Sequence, residues 1–164
     1  PAAVSEAASS ATRATVAARR AEARRVAALS EDVAKAEGQY GRRVGISRGF
    51  LLFLQGEGAV ESADDSGVLL RLDGGGELRL SKKKVFGATI RDATGLLKSS
   101  EAPGSREYHL IASEINRLAA DSAIARLAGV AAGDRLRFAG CAKITSPTAY
   151  KSPLEVIPVL VEAE

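Results

Sequence analysis

Cysteine is almost absent from the 164 residues. Cys141 stands alone, which excludes an intramolecular disulfide framework and a metal site built on paired cysteines. Histidine is as scarce: His109 has no second histidine to join it, and a metal centre or catalytic triad needs several converging groups. No metal and no cofactor are therefore expected. Aromatic residues make up 4% of the chain, so Leu, Val, Ile and Ala must fill the core. No apolar run approaches the roughly 20 residues that a membrane helix needs. The net charge is only +3, far from the dense basic surface that makes nucleic acid a default partner. Acidic side chains are plentiful, yet no spacing sets two of them in a defined site, so an enzyme is not expected. Methionine is missing and the chain opens on Pro1. The expectation is a processed chain or part of a longer one, which a signal peptide, transit peptide or membrane anchor could precede.

What is present divides near residue 48. From Ala2 to Glu37 there is neither Gly nor Pro, and Ala and Arg dominate. Both are strong helix formers, so this stretch is predicted to be one long helix or two consecutive ones, with a break near Ser30. Its apolar face is thin, limited to Val26, Leu29 and Val33. Arg19, Arg20, Arg24 and Arg25 form a basic cluster on it. That cluster is either a solvated helix face or an arm that docks on a partner protein, an acidic membrane surface or nucleic acid. Residues 38–49 carry four glycines and read as a linker. Of the 23 Lys and Arg, nine fall in residues 1–48 against five acids, so the positive excess belongs to the arm and linker.

The second part, residues 49–164, is organised around Gly49 to Val60. Five large apolar residues in a row are followed by Gly56 and Gly58, which predict a bulge or sharp coil in a long first strand. The polar run Glu61 to Gly67 reads as a turn, Val68 to Leu72 as a second strand, Asp73 to Gly76 as a hairpin turn and Glu77 to Ser81 as its partner. Lys82, Lys83 and Lys84 follow, and Val85 to Ile90 continue the apolar pattern, giving a double-length third strand region. Three lysines there protect an edge against pairing, or meet phosphate. Arg91 to Arg106 reads as a loop, with Asp92 capping a short turn at Leu96 and Leu97. Glu107 to Leu127 has one continuous apolar stripe and is the clearest helix, with an interruption expected at Asp121 and Ser122. Asp134 to Ile144 and Leu154 to Glu162 are the last strands. Pro158 within the latter implies an edge or a bulge, and Cys141 reads as a small core residue.

Strand, strand, strand, helix, strand, strand is the order of the OB-fold. The expected fold class is α+β: an OB-like five-stranded antiparallel barrel with a helix between strands 3 and 4, preceded by an N-terminal helical arm. A helix packed on an open antiparallel sheet competes with it. Fold alone does not set function. Barrels that bind single strands stack bases on exposed aromatics, and Phe50 and Phe53 have opposite parity along the strand, so at least one belongs to the core.

Several short motifs recur in order. They are Tyr40-Gly41-Arg42-Arg43, Gly56-Glu57-Gly58-Ala59-Val60 and Gly87 to Ala93, then Glu107-Tyr108 with Glu114-Ile115-Asn116, then Gly133-Asp134 with Phe138-Ala139-Gly140, and last Val156-Ile157-Pro158-Val159. Over Tyr40 to Glu162 the chain resembles an uncharacterised bacterial family of predicted periplasmic lipoproteins, a domain of unknown function often associated with sugar ABC transporters. The resemblance implies a non-catalytic envelope protein that binds a ligand or a partner, anchored to the membrane by a lipid or helix outside this chain. A protein partner, an envelope or transporter component, is implied. Recognition is expected at the loop from Arg91 to Arg106, with Arg91, Asp92 and Asn116 as candidate contacts. The alternatives are a single-stranded nucleic-acid-binding OB domain, or a structural subunit gripped by its helical arm.

Overall fold

The computed structural model describes residues 41–43, 49–95, 97–145 and 151–164. The expected helical arm, its arginines 19, 20, 24 and 25, most of the linker, and Leu96 lie outside the described residues.

Strand β1 (Phe50–Ala63) shows why its first residues are apolar without a break. Phe50, Leu52 and Leu54 point into the inner core, while Leu51 and Phe53 point outward into a second apolar cluster. Both faces are covered, so alternation is not required of them. The strand then changes neighbour. It pairs with β4 (Arg135–Ile144) from Phe50 to Ala59, and with β2 (Gly67–Leu72) from Gly58 to Ala63. The expected bulge lies later than the glycines, between Val60 and Ser62, and the strand runs three residues into the predicted turn. Asp64 closes what remains of that turn: its Oδ1 accepts from the Ser66 amide at 2.8 Å and the Gly67 amide at 3.0 Å, the usual device of an Asx turn.

Gly75 and Gly76, at φ of 96° and 88°, let β2 turn tightly into β3 (Glu77–Ser81), which then pairs in parallel with β5 (Leu154–Ala163). The five strands form a closed barrel in the order β1-β2-β3-β5-β4. This corrects the antiparallel expectation, and closure itself is the reason. Directions cannot alternate around a ring of five, so one neighbouring pair must be parallel; here it is β3 with β5. Closure also excludes the open-sheet alternative. In β5 the register slips so that Gly140 opposes Pro158 and Ala139 opposes Leu160, which leaves Val159 as the extra residue of the bulge that Pro158 announced.

The expected continuation of the third strand through Val85 to Ile90 is not found. β5 pairs β3 only from Leu78 to Leu80, and the chain leaves the sheet after Ser81. Thr89–Thr94 forms helix α1, ended by Gly95 at φ 64°. Asp92 therefore lies within a helix and does not cap a turn beyond it. Among the described residues the expected helix between β3 and β4 is preceded by this shorter one. The second, α2 (Ser105–Ala119), passes directly into a π turn at Ala120–Ile124, at the interruption expected at Asp121 and Ser122. The division has a packing consequence. Ile115 and Ala119 join Ile90 and Ala93 of α1 over the outer cluster with Phe53 and Cys141, whereas Ala123 and Leu127 enter the inner core. Cys141 is fully buried, as a core residue, and His109 is exposed on α2. Among the described residues no helix is long and apolar enough to cross a membrane.

Candidate functional site

Along the outer face of β1 the residues change from Leu51 and Phe53 to Gln55 and Glu57, and along β4 from Cys141 and Ala139 to Arg137. The change marks where the helical cover ends. There β1 has not yet met β2, whose pairing begins at Gly58 opposite Leu72. A recess of about 440 Å³ opens at this seam, between the β2–β3 turn and the outer faces of β4 and β5. Gly56, Leu72, Phe138 and Leu160 give it an apolar floor. Its rim is polar: Gln55, Glu57, Asp73, Arg137 and Glu162.

The rim charges are arranged in pairs. Arg137 Nε donates to Glu57 Oε1 at 2.6 Å, and that bond, with the nearby charge, raises the arginine above its usual value. Asp73 accepts from Arg135, which holds its carboxyl below the ordinary carboxylate range. Arg135 also donates to Glu164 at 3.1 Å. The shifts at Arg137 and Asp73 both favour the charged form. The arrangement offers fixed, oriented donors and acceptors around an apolar floor. None of these residues was among the sequence-predicted contacts, although the polar switch along β1 and β4 is visible in the sequence once strand parity is assigned.

The predicted contacts lie elsewhere. Arg91 is 6% exposed; its Nε donates to Asp92 Oδ1 at 2.9 Å and its Nη1 to the Tyr108 carbonyl at 2.9 Å. The guanidinium also lies over the Tyr108 ring, 3.6 Å from its centroid. It thereby joins α1 to the first turn of α2. Asn116 is not part of that group, and donates from Nδ2 to the Gly87 carbonyl at 2.8 Å. Asp92 also borders a smaller recess of about 280 Å³ with Thr89, Lys143 and Phe50. Among the described residues no group of three or more His, Cys, Asp or Glu could hold a metal ion. The lone thiol is remote from any such chemistry, since burial pushes the pKa of Cys141 up.

Barrel order, helical insert and recess define an OB-fold protein. A crystal structure of an OB-fold protein from Thermotoga maritima matches with a TM-score of 0.73 and 25% identity, covering 88% of this chain and 86% of that one. A family model described as predicted periplasmic lipoprotein (DUF2291) matches residues 7–162. The chain belongs to this family, which sets its place as the periplasm or cell envelope. The match reaches back to residue 7, so the Ala- and Arg-rich segment belongs to the family along with the barrel. Among curated proteins none matches the chain.

Proposed function

We propose that this is a non-catalytic binding or accessory protein of the cell envelope, and that the recess at the β1–β2 seam holds its ligand. The observation that carries the reading is the recess itself. Its volume of about 440 Å³ falls within the roughly 300–1,000 Å³ of small-molecule sites, and apolar floors with few oriented polar groups are their common composition. Rim carboxylates paired to arginine suit neutral hydroxylated ligands, which exchange hydrogen bonds with such groups without stranding a buried charge. A small sugar is accordingly the first ligand class, in keeping with a link to sugar transport. Arg91, Asp92 and Asn116 have a positioning part in this reading, fixing α1, α2 and the loop before α1 over the outer cluster.

A thermal-shift series with mono- and disaccharides tests the proposal. A sugar present at about 100 times its dissociation constant should stabilise the protein by about 2.7 kcal/mol, and Leu160→Trp, which fills the recess, should remove the shift. If no sugar raises the melting temperature, the ligand class is wrong. A shift that survives Leu160→Trp would move the site elsewhere.

A further inference from the structure

The lysine run after β3 carries a second feature that neither the fold nor the recess uses. Phe86 is 73% exposed, although aromatic residues are scarce and the others along the barrel strands are buried. It stands just beyond Lys82, Lys83 and Lys84, with Val85 between. An exposed phenylalanine in a frayed loop would need no explanation, but this loop is fixed on both sides of the ring. Before it, the Lys82 amide donates to the Ser66 carbonyl at 3.0 Å and the Lys83 amide to the buried Ser81 Oγ at 3.1 Å. Val85 packs on the outer apolar cluster. After it, Asn116 holds the Gly87 carbonyl at 2.8 Å, and Gly87 takes φ of 73°, a left-handed turn that glycine adopts without strain. Phe86 is thus displayed outward from an anchored loop, with Lys84 Nζ 5.4 Å from the centre of its ring and Lys83 exposed beside it.

From this geometry we infer that the Lys82–Gly87 loop is a membrane-surface contact, which sets Phe86 into the interface of an anionic phospholipid bilayer while Lys83 and Lys84 meet the headgroup phosphates. The chemistry is complementary on both counts: an apolar ring for the acyl boundary, and cations that each contribute about a fivefold gain in partitioning near an anionic surface. Among the described residues Lys83 pairs with the exposed Glu155 at 3.4 Å, and surface pairs of that kind exchange readily. Nucleic acid is the weaker occupant, because single-strand binders stack successive bases on several aromatics along a groove, and among the described residues Phe86 is the one exposed phenylalanine. Membership of a family of predicted lipoproteins puts a lipid surface within reach. A protein already held at the membrane needs only a weak second contact to fix its orientation, since that contact is effectively intramolecular. The inference is independent of what the recess binds.

The chain contains no tryptophan, so Phe86→Trp provides a single fluorescent reporter. With vesicles of mixed phosphatidylglycerol and phosphatidylcholine its emission should shift to the blue. With phosphatidylcholine alone, or at raised salt, it should not. Lys83→Gln with Lys84→Gln in the reporter background should lower the partition coefficient roughly twenty-five-fold, about fivefold per charge. In a sedimentation assay on the otherwise native chain, Phe86→Ser should lower vesicle binding about tenfold with an unchanged far-ultraviolet spectrum. An emission that ignores anionic vesicles would overturn the proposal, as would vesicle binding that Phe86→Ser leaves intact, which would assign it to the arginine-rich segment. A response to single-stranded oligonucleotide without one to vesicles would make the loop a nucleic-acid contact instead.

Discussion

At Gly58 a methyl group would run into the carbonyl oxygen of Arg71 on the neighbouring strand. The close approach occurs where β1 passes from β4 to β2, so the residue has to be bare for the seam to close. Gly56, two positions earlier, faces the side chains of Phe138 and Leu72 at 3.1 and 3.3 Å from an added Cβ, and side chains can yield where a backbone cannot. Gly74 in the hairpin turn meets nothing within 4 Å and has no positive φ. Urea unfolding of three alanine variants should separate these cases. Gly58→Ala should lose about 2 kcal/mol, the usual cost of overpacking. Gly56→Ala should fall between that and no loss, and Gly74→Ala should lie within about 0.5 kcal/mol of the parent. Equal losses at Gly58 and Gly74 would mean that the seam relaxes without cost. The sequence exposes the need for these glycines but not its cause. Glycine in a strand announces either a bulge or a close approach, and which one applies depends on a partner strand whose register is set elsewhere.

At the scale of elements, α1 has six residues, too short to hold itself together in water. Ile90 and Ala93 attach it to the outer cluster, and Arg91 ties it to α2 through the Tyr108 carbonyl and ring. Arg91→Ala should cost about 2 kcal/mol, because it removes a buried guanidinium that holds Asp92 and the Tyr108 carbonyl. Arg91→Lys should recover little, since an ammonium cannot both stack on a ring and span two acceptors as a guanidinium does. Hydrogen exchange should speed in α1 and the first turn of α2 while the barrel strands keep their protection. Loss of protection throughout would show that the clamp belongs to the barrel core. The difference between legible and hidden elements follows the same physics. β2, β3 and β5 were readable because turn or loop residues bound them, and in β3 Leu78 and Leu80 alternate with polar residues. The segment from Val85 to Ile90 was not, since a short apolar run suits strand and helix alike. What decides it is tertiary: β3 pairs β2 as far as Ser81 and β5 as far as Leu80, and Ile90 then packs on the outer cluster. The Arg91–Asp92 pair stood out as a candidate contact for its charge, and its burial, which gives it a structural partner set, could only be read from the fold.

Across the whole molecule, ion pairs gather at the barrel mouth and bind together parts that are distant in sequence. Asp73 on the β2–β3 turn meets Arg135 at the start of β4, Arg135 also meets Glu164 beyond β5, and Arg137 spans Glu57 on β1 and Glu164. On the far side of β2, Asp64 receives Arg79 at 2.6 and 2.8 Å. Each pair is exposed and weak by itself, but together they link the strands that surround the recess. Arg79 and then Ser66 hold the Asp64 carboxyl well below the ordinary range, and Arg135 lowers that of Asp73. A folded-state pKa below the unfolded value means that the unfolded chain takes up protons first as pH falls. The contribution of both groups is therefore complete above the ordinary aspartate value of about 3.9, and is lost as pH falls from there through their lowered folded values. Melting temperature should accordingly be insensitive to these groups near neutrality and decline below about pH 4. Asp73→Asn should be slightly less stable than the parent at neutral pH and should converge with it in acid, with the gap narrowing in high salt. A gap that stayed constant from neutral pH into acid would show that Asp73 acts through the shape of the turn. The recess would then owe its form to the hairpin glycines, and its rim charges would be free to serve a ligand.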